Sequence, residues 1–196
     1  MTSHPEADDA VSSTDAVTSN ARRRRLATAA GLAAAVVGIA GAAAAWHWHT
    51  HPDALSDVGT TTMKLRPGET AYAGVTFPDP DDSASITITS ASAKVVENSA
   101  DARTRFFVCA LDTDRPDSSA IGVVDATTFS HLCPNPEPVV PGIELDLGTG
   151  RPAQLVAAIT VNHRGNMRAE GVDVSYEHGW QNGTQTVAAN LFIRAK

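Results

Sequence analysis

A cluster of arginines followed by a long apolar run constrains this chain more than any other feature. The four arginines are Arg22, Arg23, Arg24 and Arg25. Residues 26–45 after them are uncharged and mostly apolar, and the run ends at Trp46. As a helix, 26–46 would extend roughly 31 Å, close to the hydrocarbon thickness of a bilayer. Because arginine-rich flanks stay in the cytoplasm, we expect a signal anchor at 22–46 that places the rest of the chain outside.

A cleavable signal peptide is the alternative interpretation of the same segment. Eleven of the residues 26–45 are alanine, and Ala43-Ala44-Ala45 matches the small-residue pattern that precedes a cleavage site. We favour retention because Trp46 and Trp48 occupy the positions at which an aromatic belt would anchor the outer membrane interface.

The segments on either side of this anchor differ in composition. Residues 1–21 are rich in Ser, Thr, Ala and acidic residues, which predicts a disordered cytoplasmic tail. Residues 47–57 contain Pro52 and are interpreted as a juxtamembrane spacer. Residues 58–196 then have the length of one extracellular domain.

The charge balance of the exported part argues against one class of partner. Of the 22 Asp and Glu and 15 Lys and Arg, the tail and the arginine cluster account for four each, which leaves 18 acidic and 11 basic residues after Trp46. Nucleic acid requires a basic surface, so we expect no nucleic-acid partner.

The exported part shows the period-two alternation of half-buried strands and no sustained helical period. The expected strands are 60–65, 70–77, 84–90, 93–97, 104–111, 120–125, 143–147, 153–162, 168–177 and 184–194. Two of them, near 106–111 and 155–161, are apolar on both faces and suit central positions. If one or two of these runs merge or fail, the pattern predicts eight or nine strands. It indicates an all-β fold, a single antiparallel β-sandwich with an immunoglobulin-like architecture.

The two cysteines of the chain, Cys109 and Cys133, both lie on the exported side. Thiols meet an oxidising environment there, so we expect a disulfide bond between them.

Three histidines at alternate positions, His47, His49 and His51, lie just beyond the predicted anchor. In an extended chain their imidazoles would share one side and could chelate copper or zinc. A flexible spacer holds no fixed geometry, so we expect no metal site and no cofactor. An extracytoplasmic metal-binding protein that uses these histidines is the alternative function.

Trp180 lies in a glycine- and amide-rich stretch between two strands, where it has no obvious core to enter. Exposed aromatic residues of this kind serve recognition, and the candidate binding residues are Tyr176, Trp180, Gln181 and Gln185. The alternative is that Trp180 folds back over the end of the sandwich. The dipeptide Asn182-Gly183 predicts a type I′ turn at the tip of this hairpin.

Sequence motifs for catalysis are absent: there is no G-x-S-x-G, H-E-x-x-H, P-loop or dinucleotide fingerprint. We therefore expect a non-catalytic, single-pass bacterial membrane protein whose extracellular β-sandwich binds an unknown protein or cell-wall ligand. The sequence does not predict an oligomeric state.

Overall fold

A computed structural model of the protein describes residues 38–50, 53–77, 85–112, 120–148 and 152–196. Two compact units are distinguished, Met1–Trp46 and His47–Lys196. Residues 38–50 are helical and form α1. Within these ranges, no helix has both the length and the apolar character that crossing a bilayer requires. The predicted tail, the four arginines and most of the predicted anchor lie outside the described residues, as does His51.

The described residues form ten strands in two sheets. In chain order these are β1 (Gly59–Leu65), β2 (Thr70–Gly74), β3 (Ser85–Asn98), β4 (Arg103–Ala110), β5 (Val123–Asp125), β6 (Glu137–Pro138), β7 (Ile143–Asp146), β8 (Ala153–Thr160), β9 (Gly165–His178) and β10 (Gln181–Ala195). The first sheet has the order β1-β10-β9-β3-β7, and the second has the order β5-β2-β8-β4-β6. The prediction of an all-β sandwich is confirmed.

One strand pair departs from the expected antiparallel arrangement. Strand β1 runs parallel to β10, in a register that joins Gly59 to Ala189 and Leu65 to Ala195. Every other pairing among the described strands is antiparallel. Parallel neighbours cannot be joined by a short turn, and these two strands are far apart in the sequence.

The main core lies between the two sheets and contains alternate apolar residues of both. In β9 and β10 these are Met167, Ala169, Val172, Val174, Tyr176, Val187, Ala189, Leu191, Ile193 and Ala195. Strand β8 is buried on both faces from Ala153 to Ile159 and lies between β2 and β4, as its apolar sequence predicts. Its outer face is covered by a second, smaller cluster that contains Val156, Phe129 and both cysteines.

Three local elements differ from the predictions. The two strands expected at 84–90 and 93–97 are one strand, β3, whose pairing with β9 shifts register at three places. These irregularities interrupt the alternation, so the sequence suggests a break where the strand continues. A short helix, α2 (Ala126–Leu132), and the two-residue edge strand β6 were not predicted. Both are too short to produce a recognisable period.

Helix α2 begins at a polar cap. The Asp125 carboxylate accepts a hydrogen bond from the backbone N–H of Thr128 at 2.8 Å, and this bond lowers the pKa of Asp125. The helix ends at Cys133, whose Cα lies 5.6 Å from that of Cys109 in the disulfide bond. The predicted disulfide is confirmed, and it fixes α2 against the outer face of the second sheet.

The turn between β9 and β10 lies earlier than predicted. His178 pairs with Gln181, so the two central residues are Gly179 and Trp180, while Asn182-Gly183 lies within β10. Gly179 has a φ of 60°, and Trp180 has a negative φ. This pattern corresponds to a type II′ turn, with glycine at the first central position, and the predicted type I′ turn is wrong. Register is selected by the contacts along the whole strands, and these outweigh the local preference of Asn-Gly.

Candidate functional site

The tip of the β9–β10 hairpin presents an exposed indole. Trp180 is 60% exposed, as the second central residue of the turn. Its ring centroid lies 4.4 Å from that of Trp48, with the ring planes at 64°, and 5.3 Å from that of His49, with the planes nearly parallel. The side-chain amide of Gln181 donates to the carbonyl of Trp48 at 2.8 Å. We call Trp48, His49 and Trp180 the tip cluster.

The tip cluster joins two features that were predicted separately. Trp48 was expected at the outer membrane interface, and Trp180 was expected to contact a ligand. Trp180 packs against the two aromatic rings of Trp48 and His49, which precede β1 in the chain. Trp48 is itself 52% exposed, so the pair presents a continuous aromatic surface.

Tyr176 and Gln185 lie deeper and contact the residues that lead into β1. Tyr176 is 1% exposed, and its hydroxyl accepts from the N–H of Ala54 at 2.8 Å and donates to Oε1 of Gln185 at 2.6 Å. Oε1 of Gln185 also accepts from the N–H of Leu55, and Nε2 donates to the carbonyl of Leu55 and to the carboxylate of Asp53. Burial raises the pKa of Tyr176.

A second attachment lies at the bulge in β10. The register between β9 and β10 shifts between Val187 and Asn190, which removes ladder partners there. The N–H of Ala188 donates to the carboxylate of Asp57 at 2.7 Å. Residues 53–57, which we call the linker segment, are therefore held on the hairpin at two places, and Leu55 is buried in the main core.

These attachments change the interpretation of the predicted binding residues. Within the described part of the chain, Tyr176 and Gln185 contact the linker segment and Gln181 contacts Trp48, while Trp180 keeps most of its surface exposed. Asp53 and Asp57 were not predicted as site residues. Their sequence context gives no indication of their partners, since each partner lies more than 130 positions away.

The histidine cluster is only partly described. His47 and His49 lie in α1, where alternate positions do not share a face, and His51 lies outside the described residues. Among the residues that the structure describes, no group of three or more His, Cys, Asp or Glu could hold a metal ion.

Sheet two contains a buried polar contact that supports the loop before β5. The Gln154 side chain is fully buried and accepts from the N–H of Ile121 at 2.6 Å while donating to its carbonyl at 2.9 Å. A Cβ on Gly74 would lie 2.2 Å from both the Gln154 amide nitrogen and the Ile121 carbonyl oxygen. Glycine at 74 is therefore required for this approach.

Titratable groups with a clearly shifted pKa are few in the described ranges. They are Asp125, which caps α2, and Tyr176, which binds the linker segment. Each shift has a structural cause.

Comparison of the chain with models of known protein families gave no match, and neither did comparison with curated proteins.

Proposed function

We propose that the chain is a non-catalytic binding module of a bacterial cell surface, anchored by one N-terminal membrane-spanning helix with its β-sandwich outside the cytoplasm. The observation that carries this proposal is the tip cluster: it joins Trp48, two positions after the predicted anchor, to the end of the sandwich. Tryptophan side chains favour the membrane–water interface. On this proposal the hairpin tip faces the bilayer.

The linker segment supports the same orientation. Residues 53–57 are not a free tether, because Gln185, Tyr176 and the bulge at Ala188 form hydrogen bonds with them. These contacts hold the start of the sandwich against the hairpin, so the chain enters the domain near its Trp180 end. The proposed membrane-proximal end is therefore the Trp180 end, and a ligand would be bound elsewhere on the sandwich.

The disulfide bond supports an extracytoplasmic location, because such bonds persist in oxidising compartments. The immunoglobulin-like arrangement remains part of the proposal and is supported by the two-sheet sandwich. It differs from antibody domains in the position of the disulfide, which lies in the cluster outside the second sheet.

The location is tested on intact cells with a membrane-impermeant maleimide. Lys196→Cys places a thiol at an exposed position after β10, and Ser3→Cys places one in the predicted tail. We expect Lys196→Cys to be labelled on intact cells and Ser3→Cys only after lysis. The reverse pattern would refute the proposed topology. The intact mass of the membrane-bound product distinguishes anchoring from cleavage, since cleavage would leave a chain beginning at Trp46.

The orientation is tested by fluorescence in vesicles that contain brominated lipids. In a chain carrying Trp46→Phe and Trp48→Phe, all indole emission comes from Trp180. We expect bromine near the headgroups to quench this emission, because the proposal places the tip at the interface. Emission that is insensitive to brominated lipid would show that the hairpin tip does not lie at the membrane interface. Trp180 would then remain a candidate ligand contact, to be tested by comparing pull-downs with Trp180→Ala.

A further inference from the structure

Basic residues concentrate at the end of the first sheet opposite Trp180. Six of the 11 Lys and Arg that follow the arginine cluster lie in or beside the ends of β1, β9 and β10. They are Lys64, Arg66, Arg164, Arg168, Arg194 and Lys196. The exported part as a whole is acidic, so this concentration is a local reversal of charge.

Three of these cations, Lys64, Arg168 and Arg194, line a groove of about 530 Å³ on the outer face of the first sheet. One carboxylate, that of Glu97, also lines the groove, on the side of Arg168. Lys64 lies beside Arg194 in the parallel β1–β10 pair, and Arg194 lies beside Asn166 of β9. Lys64 and Arg194 have no ion pair among the described residues. Like charges on neighbouring strands repel each other, so this placement does not serve stability.

The next row of the groove combines apolar and polar surface. Phe192 lies between Thr62 and Arg168 and is 37% exposed. The guanidinium of Arg168 lies 5.4 Å from the centre of the Phe192 ring and also pairs with the carboxylate of Glu170. These contacts hold Arg168 in a defined position with part of its charge compensated.

We propose that this groove binds an anionic sugar polymer, with its acidic groups on Lys64 and Arg194 and a sugar ring against Phe192. Arginine and lysine bind carboxylate and phosphate through charge-assisted hydrogen bonds. Asn166 and Thr62 supply the polar groups that sugar hydroxyls need, and Phe192 supplies an apolar surface. The inference rests on the proposed function, because a cell-surface polymer reaches only an exported domain.

The binding test uses the full chain in neutral detergent micelles and does not depend on its topology. Three polymers are titrated by calorimetry: polygalacturonate, which carries carboxylates, a polyol-phosphate polymer, and neutral dextran. We expect one or both acidic polymers to bind, with the stronger one identifying the acidic group, and dextran not to bind. Failure of both acidic polymers would overturn the inference. The labelling pattern on intact cells would be unaffected by that result.

A matched pair of double variants locates the site. Lys64→Gln with Arg194→Gln removes two groove charges, and Arg103→Gln with Arg105→Gln removes two exposed charges from β4 in the other sheet. Lys64 and Arg194 are exposed, so each lost charged contact should cost up to about 1 kcal/mol, and the groove variant should bind roughly 10- to 30-fold more weakly. The β4 variant should bind within about twofold of the unmodified chain, because screening reduces the effect of distant exposed charges. Equal weakening in both variants would overturn the site.

Two further measurements exclude a structural explanation. The groove variant should unfold at the same or a higher temperature than the unmodified chain, because it removes a repulsive pair. Phe192→Ala should weaken binding of the sugar polymer, because it removes the apolar surface of the groove, while single-stranded DNA should bind the unmodified chain more weakly than the sugar polymer. DNA that binds as tightly as the sugar polymer would overturn the assignment to sugars.

Discussion

Gln185→Ala is the most direct perturbation of the linker segment, because the Gln185 side chain makes most of the hydrogen bonds between the hairpin and that segment. The side-chain amide of Gln185 forms hydrogen bonds with the N–H and the carbonyl of Leu55, the hydroxyl of Tyr176 and the carboxylate of Asp53. The bond to Asp53 is exposed and contributes little. The two bonds to Leu55 are partly buried, and each contributes about 0.5–1.5 kcal/mol net. The bond to Tyr176 joins two residues of the hairpin and does not hold the linker segment. Truncation should therefore make opening of the linker segment easier by about 2 kcal/mol.

This cost should appear as local opening of the linker segment. Local opening exposes backbone amides to exchange without unfolding the remaining structure. A change of about 2 kcal/mol corresponds to roughly 30-fold faster hydrogen exchange at Ala54 and Leu55. Exchange in β8 should be unchanged, because that strand is buried in the other sheet. Hydrogen exchange of the full chain, read by mass spectrometry or NMR, measures both regions in one experiment.

Gln181→Ala is the matched control for this measurement. It removes one exposed hydrogen bond, to the carbonyl of Trp48, and no contact with the linker segment. Exchange at Leu55 should therefore stay close to that of the unmodified chain. Unchanged exchange at Leu55 in Gln185→Ala would refute the assigned contacts. Acceleration that extends equally into β8 would show that the linker segment opens only with the whole domain.

Three further perturbations test other parts of the fold. The disulfide closes a loop with a sequence separation of 24, and reducing it should lower the free energy of unfolding by about 3.5 kcal/mol. The midpoint of thermal unfolding should fall by about 10 °C. Equal midpoints with and without reductant would contradict this. Gly74→Ala should destabilise the domain by at least about 2 kcal/mol in denaturant titrations, because its Cβ would collide with Gln154 and the Ile121 carbonyl, whereas Gly122→Ala, with open space around it, should cost under about 1 kcal/mol. The pKa of Tyr176 is raised in the folded state, so its contribution to stability is complete below the unfolded pKa near 10 and is lost as pH rises through the folded value. Tyr176→Phe should therefore lose less stability at alkaline pH than the unmodified chain. Identical profiles of stability against pH in the two chains would contradict the shift.

Most strands could be predicted because their residues alternate between a core and a solvent face, which is a local property. The disulfide could be predicted for a similar reason, since the two cysteines of the chain have a single possible pairing with each other. The pairing of β1 with β10 could not, because residues such as Gly59 and Ala189 contain no information about each other. The position of the hairpin turn was missed because Asn182-Gly183 is the stronger local turn former, while the observed register depends on contacts along two long strands.

The candidate site was predicted in part for the same physical reason. An exposed Trp180 at a hairpin tip follows from its glycine- and amide-rich neighbours. That Gln185 and Tyr176 bind the linker segment does not follow from any local pattern, because side chains of this type serve equally well in ligand contacts. The groove could not be predicted from composition either. The net negative charge of the domain gives no indication that Lys64, Arg168 and Arg194 lie together.

The two ends of the first sheet fit different roles in the proposed function. Strand β10 extends from Gln181, beside the tip cluster, to Arg194 in the groove. The 13 residue-to-residue rises between them span roughly 40 Å. If the Trp180 end faces the bilayer, the groove lies farther from the membrane than a Debye length of about 8 Å, so charged headgroups would not compete for it. An acidic polymer would reach Lys64 and Arg194 without approaching the lipid. Because β10 contributes residues at both ends, the linker segment and the groove are held on the same strand, near opposite ends of it.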